Sequence, residues 1–273
     1  MPSGETLGGS LPSRLAWRLL RDEPRSGSRN MALDHALALR LAPSEGVVRL
    51  YGWERPTVSL GRNEPAKGLY TLEAMASAGV GAVRRPTGGR AVLHWRELTY
   101  AVVAPVDAWG GLREAYFGIN LVLAEAIRGL GAPAEVVGGR APTPLDAGPC
   151  FQAPAAGEIV VRGRKLVGSA QMRLEGALLQ HGSILLDDDQ GLLGRLRTDG
   201  PGNRAAPESV APATLRAEAG HVGIDDLTDA VAMSLRGGFG GTWGPEGYRS
   251  SEIETADRLE AERYACDSWT WRR

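Results

Sequence analysis

Lysine is nearly missing from this chain: of 31 basic residues, only Lys67 and Lys165 are lysines. Cysteine is as scarce, with Cys150 and Cys266 far apart. That spacing excludes a disulfide framework and a cysteine-based metal cluster. No CxxC or HExxH spacing occurs, nor a G-x-G-x-x-G, a P-loop or an internal repeat. The common metal and nucleotide motifs are therefore absent. No run of about 18 apolar residues exists, which excludes a membrane-spanning helix. The opening MPSGETLGGSLP lacks a basic region followed by an apolar core, so it predicts a flexible start rather than a secretory signal. A net charge of -1 gives no global attraction to nucleic acid. What remains is a soluble, cytoplasmic protein. Its 273 residues can bury a sizeable core as one large domain or two small ones.

The most informative stretch is residues 148–186. Residues 158–161, 165–172 and 177–186 are rich in β-branched and apolar side chains, separated by Arg162-Gly163-Arg164 and Leu174-Glu175-Gly176. This predicts an antiparallel meander, with Cys150 on the loop feeding it. Turning back at Gly163 brings Lys165 into the same sheet region as that loop. An ammonium beside a thiol stabilises the thiolate, the nucleophilic form. A lone cysteine also serves as a small buried hydrophobe, and a lone lysine as a surface charge; spacing alone leaves both readings open. In a chain so biased toward arginine, a retained Lys165 points to a compact donor that a guanidinium cannot replace. At strand period, Lys165 shares a face with Val167 and Ser169.

Elsewhere, residues 30–41 predict a helix capped by Asn30, with Leu33, Leu37 and Leu41 on one face and His35 at a polar rim without a catalytic role. Residues 47–53 and 57–61 predict a hairpin turning at Glu54-Arg55-Pro56. Gly61 marks a place for close backbone approach to a ligand. Residues 69–78 form a helix stopped at Gly79, and 80–84 a strand. Gly88-Gly89, flanked by Arg84, Arg85 and Arg90, allows positive φ and leaves N–H groups for a ligand carbonyl or phosphate; a basic hairpin turn fits equally. Residues 91–103 read as one long strand with His94 near its start. Residues 111–130, 225–236 and 252–264 read as helices, residues 132–149 as a loop, and Asp187-Asp188-Asp189 as a solvated turn. Together they predict an α+β fold, a mixed and mostly antiparallel sheet flanked by helices. Residues 1–29 are expected to be a flexible segment, and 30–273 a single catalytic domain with C-terminal helices packed on it.

The segment RRPTGGRAVLHWRELTY resembles the signature of the biotin/lipoate protein ligase superfamily. PCFQAP, EIVVRGRKLVGSAQMR and LLQHGSILL resemble its cysteine-dependent octanoyltransferase branch, as do NMALDHAL, LYGWERPTVSLGRNE and YACDSWTWRR. The resemblance covers nearly the whole chain and implies the superfamily's catalytic-domain fold. It implies octanoyl transfer from acyl carrier protein to a lysine of a lipoyl domain, such as the glycine cleavage H protein, through a Cys150 thioester with Lys165 as partner. It further implies substrate contacts at Arg85, Gly88, Gly89, Arg90, Ala91, His94, Gly168, Ser169 and Ala170. Residues 91–93 would line an acyl channel with the glycine turn, and Arg84, Arg85 and Arg90 would steer an acidic carrier at its mouth. No cofactor, metal, nucleic acid or membrane is implied, and a cytoplasmic monomer is. The chain departs from the branch at Trp95, where Asp is usual, and at Ala155-Ala156-Gly157, where Ser-x-Tyr is usual. Three other readings share these motifs: an ATP-dependent lipoate or octanoate ligase that does not need Cys150, an amidotransferase between lipoyl domains, and a non-catalytic lipoyl-binding protein. A requirement for ATP separates the first of these from thiol chemistry.

Overall fold

The computed structural model describes residues 15–138, 155–197, 211–244 and 246–273. In chain order the elements are β1 (Ala16–Arg21), α1 (Gly27–Leu39), β2 (Glu45–Tyr51), β3 (Thr57–Leu60), α2 (Leu72–Ser77), β4 (Gly81–Arg84), β5 (Val92–His94) and β6 (Glu97–Pro105). There follow α3 (Leu112–Gly129), β7 (Ala134–Val136), β8 (Ile159–Val161), β9 (Arg164–Leu174), β10 (Ala177–Leu185) and α4 (Gly191–Arg195). The last are α5 (Leu215–Ala219), α6 (Ile224–Phe239), β11 (Thr242–Trp243), α7 (Ser250–Leu259), a π-helical turn Glu260–Tyr264, and α8 (Asp267–Thr270).

The strands form an eight-stranded sheet ordered β11-β1-β2-β6-β10-β9-β8-β7 and a three-stranded sheet ordered β4-β3-β5. Pairing in the large sheet is antiparallel except at β1, which runs parallel to β2 and β11. This is the expected α+β architecture. One face carries α3 and α6 over a core that includes Val48, Tyr100, Val102, Leu178 and Ile184. The other carries α1 and α7 over Val47, Tyr51, Ala101, Val103 and Leu179. Odd and even positions of β2, β6 and β10 thus serve opposite cores, and the strands read as near-continuous apolar runs.

The meander is as expected. Its two turns place both central residues at positive φ: Arg162 (50°) and Gly163 (74°), then Glu175 (52°) and Gly176 (118°). That is the two-residue hairpin geometry matched to strand twist.

Several expectations need correction. Residues 15–29 are not a flexible lead: β1 lies inside the large sheet, and Trp17 is fully buried against Phe239 and Trp243. Helix α1 starts earlier than residue 30 because Ser26, whose side chain accepts from Arg29 N, is its cap. Asn30 sits inside the helix instead, donating to Gly52 O and accepting from Arg49 Nη2. Every residue from Asn30 to Ala38 is buried, so His35 is enclosed rather than on a rim, bonded to Tyr264.

Residues 47–61 are not a hairpin. Strand β2 belongs to the large sheet and β3 to the small one. Likewise residues 91–103 break at Trp95 and Arg96, giving β5 to the small sheet and β6 to the large. The chain crosses between the sheets at both places. The space enclosed between them is the candidate site.

Candidate active site

A cavity of about 170 Å³ lies between the two sheets. The large sheet contributes Tyr51, Thr99, Gly168, Ala170, His181 and Ser183 to its wall, and the small sheet contributes Ser59, Val92 and His94. Met31, Trp53, Arg85, Gly89 and Arg90 add to it, and Ala155 and Glu158 border it where the chain enters β8.

Polar wall groups are largely bonded to one another. Glu97, behind the wall, accepts from Thr99 Oγ1 at 2.7 Å and Ser183 Oγ at 2.6 Å, and pairs with His94 Nδ1 at 2.7 Å. His94 Nε2 meets Ser59 Oγ at 2.7 Å, and the ring stacks on Trp53 at 4.1 Å. Trp53 Nε1 donates to Thr99 Oγ1. The surface left to the cavity is largely apolar.

A second network holds the loop that covers the cavity. His181 Nδ1–H donates to Asp34 Oδ2 at 2.9 Å, and its Nε2 takes Thr87 Oγ1 at 2.7 Å. Burial pushes the His181 imidazole below its ordinary range, which keeps it neutral. Burial alone would raise the Asp34 carboxyl, but the His181 hydrogen bond and the Arg49 charge hold it lower. Arg49, itself fully buried, completes the cluster on Asp34 Oδ1 at 2.8 Å. The loop is pinned again at Gly61, where a Cβ would stand 1.8 Å from Gly89 O. The partner that approaches Gly61 so closely is therefore the chain's own backbone, not a ligand.

Lys165 lies next to a β-bulge. Ile159 pairs with Val167, but Val160 pairs with Lys165, so one step on β8 faces two on β9. The extra residue shifts the alternation. Leu166 and Val167 consequently both enter the core beneath α3, and Lys165 turns to the opposite side beside Glu158. This corrects the expected face-sharing with Val167. Lys165 Nζ donates to Glu158 Oε1 at 2.6 Å, with both residues buried. Glu158 Oε2 accepts from Ala155 N at 2.7 Å, and Asn120 Nδ2 fixes the preceding Gly157 O at 2.7 Å.

A family model described as the lipoyl protein ligase A/B catalytic domain matches residues 26–235. The chain belongs to that family. Octanoyltransferase LipM of Symbiobacterium thermophilum is 40% identical over 270 residues, covering 94% of this chain and 98% of that protein. Octanoyltransferase LipM of Kyrpidia tusciae is 39% identical, covering 94% and 99%. Among solved structures, a lipoate-protein ligase A bound with ATP shares the fold at a TM-score of 0.79 and 22% identity, covering 94% of this chain and 99% of that one. The family resemblance read from the motifs is borne out.

Within this lipoyl protein ligase A/B domain, Arg85, Gly89, Arg90, His94, Gly168, Ser169 and Ala170 all border the cavity. Gly88 and Ala91 do not. Gly88 O accepts from the Arg85 guanidinium, and Ala91 packs in the core of the small sheet with its N–H on Glu64. The Ser169 hydroxyl faces α3, bonded to Tyr100 and Asn120. Arg84 and Arg85 are not a steering patch. Both are buried, Arg84 donating to Gly61 O, Glu64 O and Thr270 O, and Arg85 to Ser59, Gly88 O and Arg90 O. Arg90 is buried too. Cys150 lies outside the described residues.

Sequence reasoning missed Glu158, Asp34, Glu97 and Ser183. Glu158 alone left a signal, an acidic residue entering an otherwise apolar strand a few positions before the rare lysine.

Proposed function

We propose that the chain is an octanoyltransferase of protein lipoylation, carrying the octanoyl group as a thioester on Cys150. The observation that carries this is Lys165: one of two lysines, buried, and bonded to Glu158, which borders a largely apolar cavity. The 40% identity to a LipM octanoyltransferase over 94% of the chain supports it.

In the first step the Cys150 thiolate attacks the thioester of octanoyl-acyl carrier protein. A new C–S bond forms, and the carrier thiolate leaves. In the second, the ε-amine of a lysine on a lipoyl domain, such as the glycine cleavage H protein, attacks the acyl-enzyme. The C–N bond forms, the Cys150 thiolate leaves, and the amine's proton goes to it. The amide is far more stable than the thioester, so no ATP is consumed. Lys165 Nζ donates to the carbonyl oxygen as charge develops there. The octanoyl tail lies along Gly89, His94, Gly168 and Ala170. At about 0.8 kcal/mol per CH2 its burial contributes roughly 5 kcal/mol. The enzyme works as a cytoplasmic monomer.

The test is intact mass after mixing with octanoyl-acyl carrier protein without ATP. One octanoyl group should be added and should be removed by hydroxylamine. Cys150→Ala should abolish it. Cys266→Ala should not, since that thiol is bonded to Ala261 O near the C-terminus. An unmodified wild type overturns the reading, and modification only with ATP moves the chain to the ligase class.

A further inference from the structure

Among the described residues, Arg62, Arg263, Arg272 and Arg273 form a cluster of like charge in which no arginine has a carboxylate partner. They gather where residues 263–273 pack on the loop after β3, with Lys67 beside them. Arg263 and Arg272 lie over the Trp269 ring, 4.7 and 3.9 Å from its centroid, and Trp269 Nε1 is fixed on Arg84 O. The Arg272 guanidinium donates to Arg62 O, and Ala66 N and Lys67 N donate to Arg273 O. Arg62, Lys67 and Arg273 are exposed, and Arg263 and Arg272 half-buried. The acidic side chains nearby do not neutralise them. Glu64 is taken by Gly61 N and Ala91 N, and exposed Glu262 and Asp267 form no ion pair with them. Burial first, then the charges of Arg273, Arg62 and Arg263, push the Arg272 guanidinium below its ordinary value, so the members repel one another.

We infer that this cluster is the docking surface for the acyl donor, an acidic carrier protein whose octanoyl group travels on a phosphodiester-linked arm. The inference deepens the proposed function and rests on it. Its place suits delivery. Arg62 N donates to Thr87 O at 2.8 Å, and Thr87 belongs to the loop from which Arg85, Gly89 and Arg90 border the cavity. A partner held at Arg62 stands beside the loop that covers the cavity. Charge decides between the two partners of an octanoyl transfer. The donor brings a phosphodiester anion on the same arm as the acyl group. The acceptor presents a lysine, a cation at neutral pH, which a basic surface repels. Guanidinium groups already fixed on a ring and on a backbone oxygen lose less freedom when an anion binds. Surface charge of this kind acts mainly on encounter and selectivity. With a net charge of -1 over the whole chain, the attraction is local to this surface.

The experiment measures binding of labelled holo-acyl carrier protein, which has the arm without the acyl group and cannot react. It compares wild type, Arg62→Glu with Arg273→Glu, and Arg128→Glu with Arg236→Glu. The last pair makes the same change in net charge on exposed arginines of α3 and α6. Reversal in the cluster should weaken binding about tenfold and flatten its salt dependence, while the control stays within about twofold of wild type. Acylation from octanoyl-pantetheine, which lacks both the phosphate and the carrier protein, should be the same in all three. That arm separates docking from damage to the active site. Should the reversed pair fail to fold, Arg62→Gln and wild type at rising salt read the same surface, and affinity unmoved by either overturns the inference. Equal affinity of wild type and the folded cluster variant overturns it too. So does a loss confined to the lipoyl domain, to duplex DNA or to anionic vesicles. Carrier binding that depends on the cluster, with no octanoyl group gained by wild type, upholds the surface and overturns the octanoyltransferase reading. Octanoyl transfer with carrier affinity indifferent to the cluster does the reverse.

Discussion

The ring of Tyr116 fills the space over Gly157: a Cβ built there would stand 2.7 Å from Tyr116 Cδ1 and Cε1. Gly157 also sits at a φ of 86°, in the left-handed region. The departure from Ser-x-Tyr at residues 155–157 is therefore accommodated from outside the motif, by a side chain of α3. Gly157→Ala should cost about 1–2 kcal/mol from the backbone alone. It should also displace the ring, shift Glu158, and slow Cys150 acylation along with the loss of stability. Adding Tyr116→Ala should return part of the stability, because it restores room but not the backbone conformation. Thermal melting and single-turnover acylation of both variants are the measurements, and a Gly157→Ala protein matching wild type in each would refute the account.

Lys165→Arg keeps the charge but replaces a compact ammonium with a wide planar group. Its surroundings are closed, at 2% exposure with Glu158 against it. Loss of a well-placed oxyanion donor is worth roughly 3 kcal/mol, or about a hundredfold in acylation rate. Single-turnover acylation measures it, and a folded Arg variant within a few-fold of wild type would show that Lys165 supplies charge only.

Acyl length selectivity should respond to Ala170, which borders the cavity opposite the small sheet. Ala170→Leu fills space that the tail would use. The preferred donor should move from eight carbons toward six, with each excluded CH2 costing about 0.8 kcal/mol, or roughly fourfold. Competition between hexanoyl, octanoyl and decanoyl carriers reads the shift. An unchanged order of preference would place the tail elsewhere.

Stability should fall in mild acid. Burial pushes the His35 imidazole from 6.5 down to about 4, with Arg263 and Arg62 acting in the same direction. Between those values the unfolded chain binds a proton that the native state refuses. The stability is therefore complete above pH 6.5 and is lost as the pH drops toward 4, a change of roughly 3 kcal/mol. His181, pushed down by burial, adds in the same sense. Urea midpoints from pH 7.5 to 4 should decline through this window. His35→Gln, which can still bond Tyr264, should flatten part of the decline; an equally steep slope in that variant would remove His35 as its cause.

The fold was legible where its determinants are local. Period-two alternation between glycine turns is a property of neighbouring residues, and it marked β8, β9 and β10 together with both hairpins. The split of residues 91–103 was not legible, because no glycine or proline marks Trp95 and Arg96, where the chain changes sheets. Nor was the bulge at Leu166: the extra residue is defined by what it faces on β8, not by its own sequence. Arg84, Arg85 and His35 looked like surface residues because composition does not show which carbonyls and rings tertiary structure will bring to them. Of the residues that border the cavity, the family motifs led to Arg85, Gly89, Arg90, His94, Gly168, Ser169 and Ala170. The carboxylates Glu158 and Asp34 were not legible, since they act through partners on other elements.

The cavity wall draws on residues from Met31 to Ser183. No hairpin or single helix–strand pair contains it, and its closing pieces are β10 against β6 and the small sheet over both. Contacts of such sequence separation are slow to form, because chain closure comes before they are rewarded. The cavity is therefore completed late in folding, after helices and hairpins have given the chain most of its secondary structure. A nascent or refolding chain has strands and helices before it has this cavity.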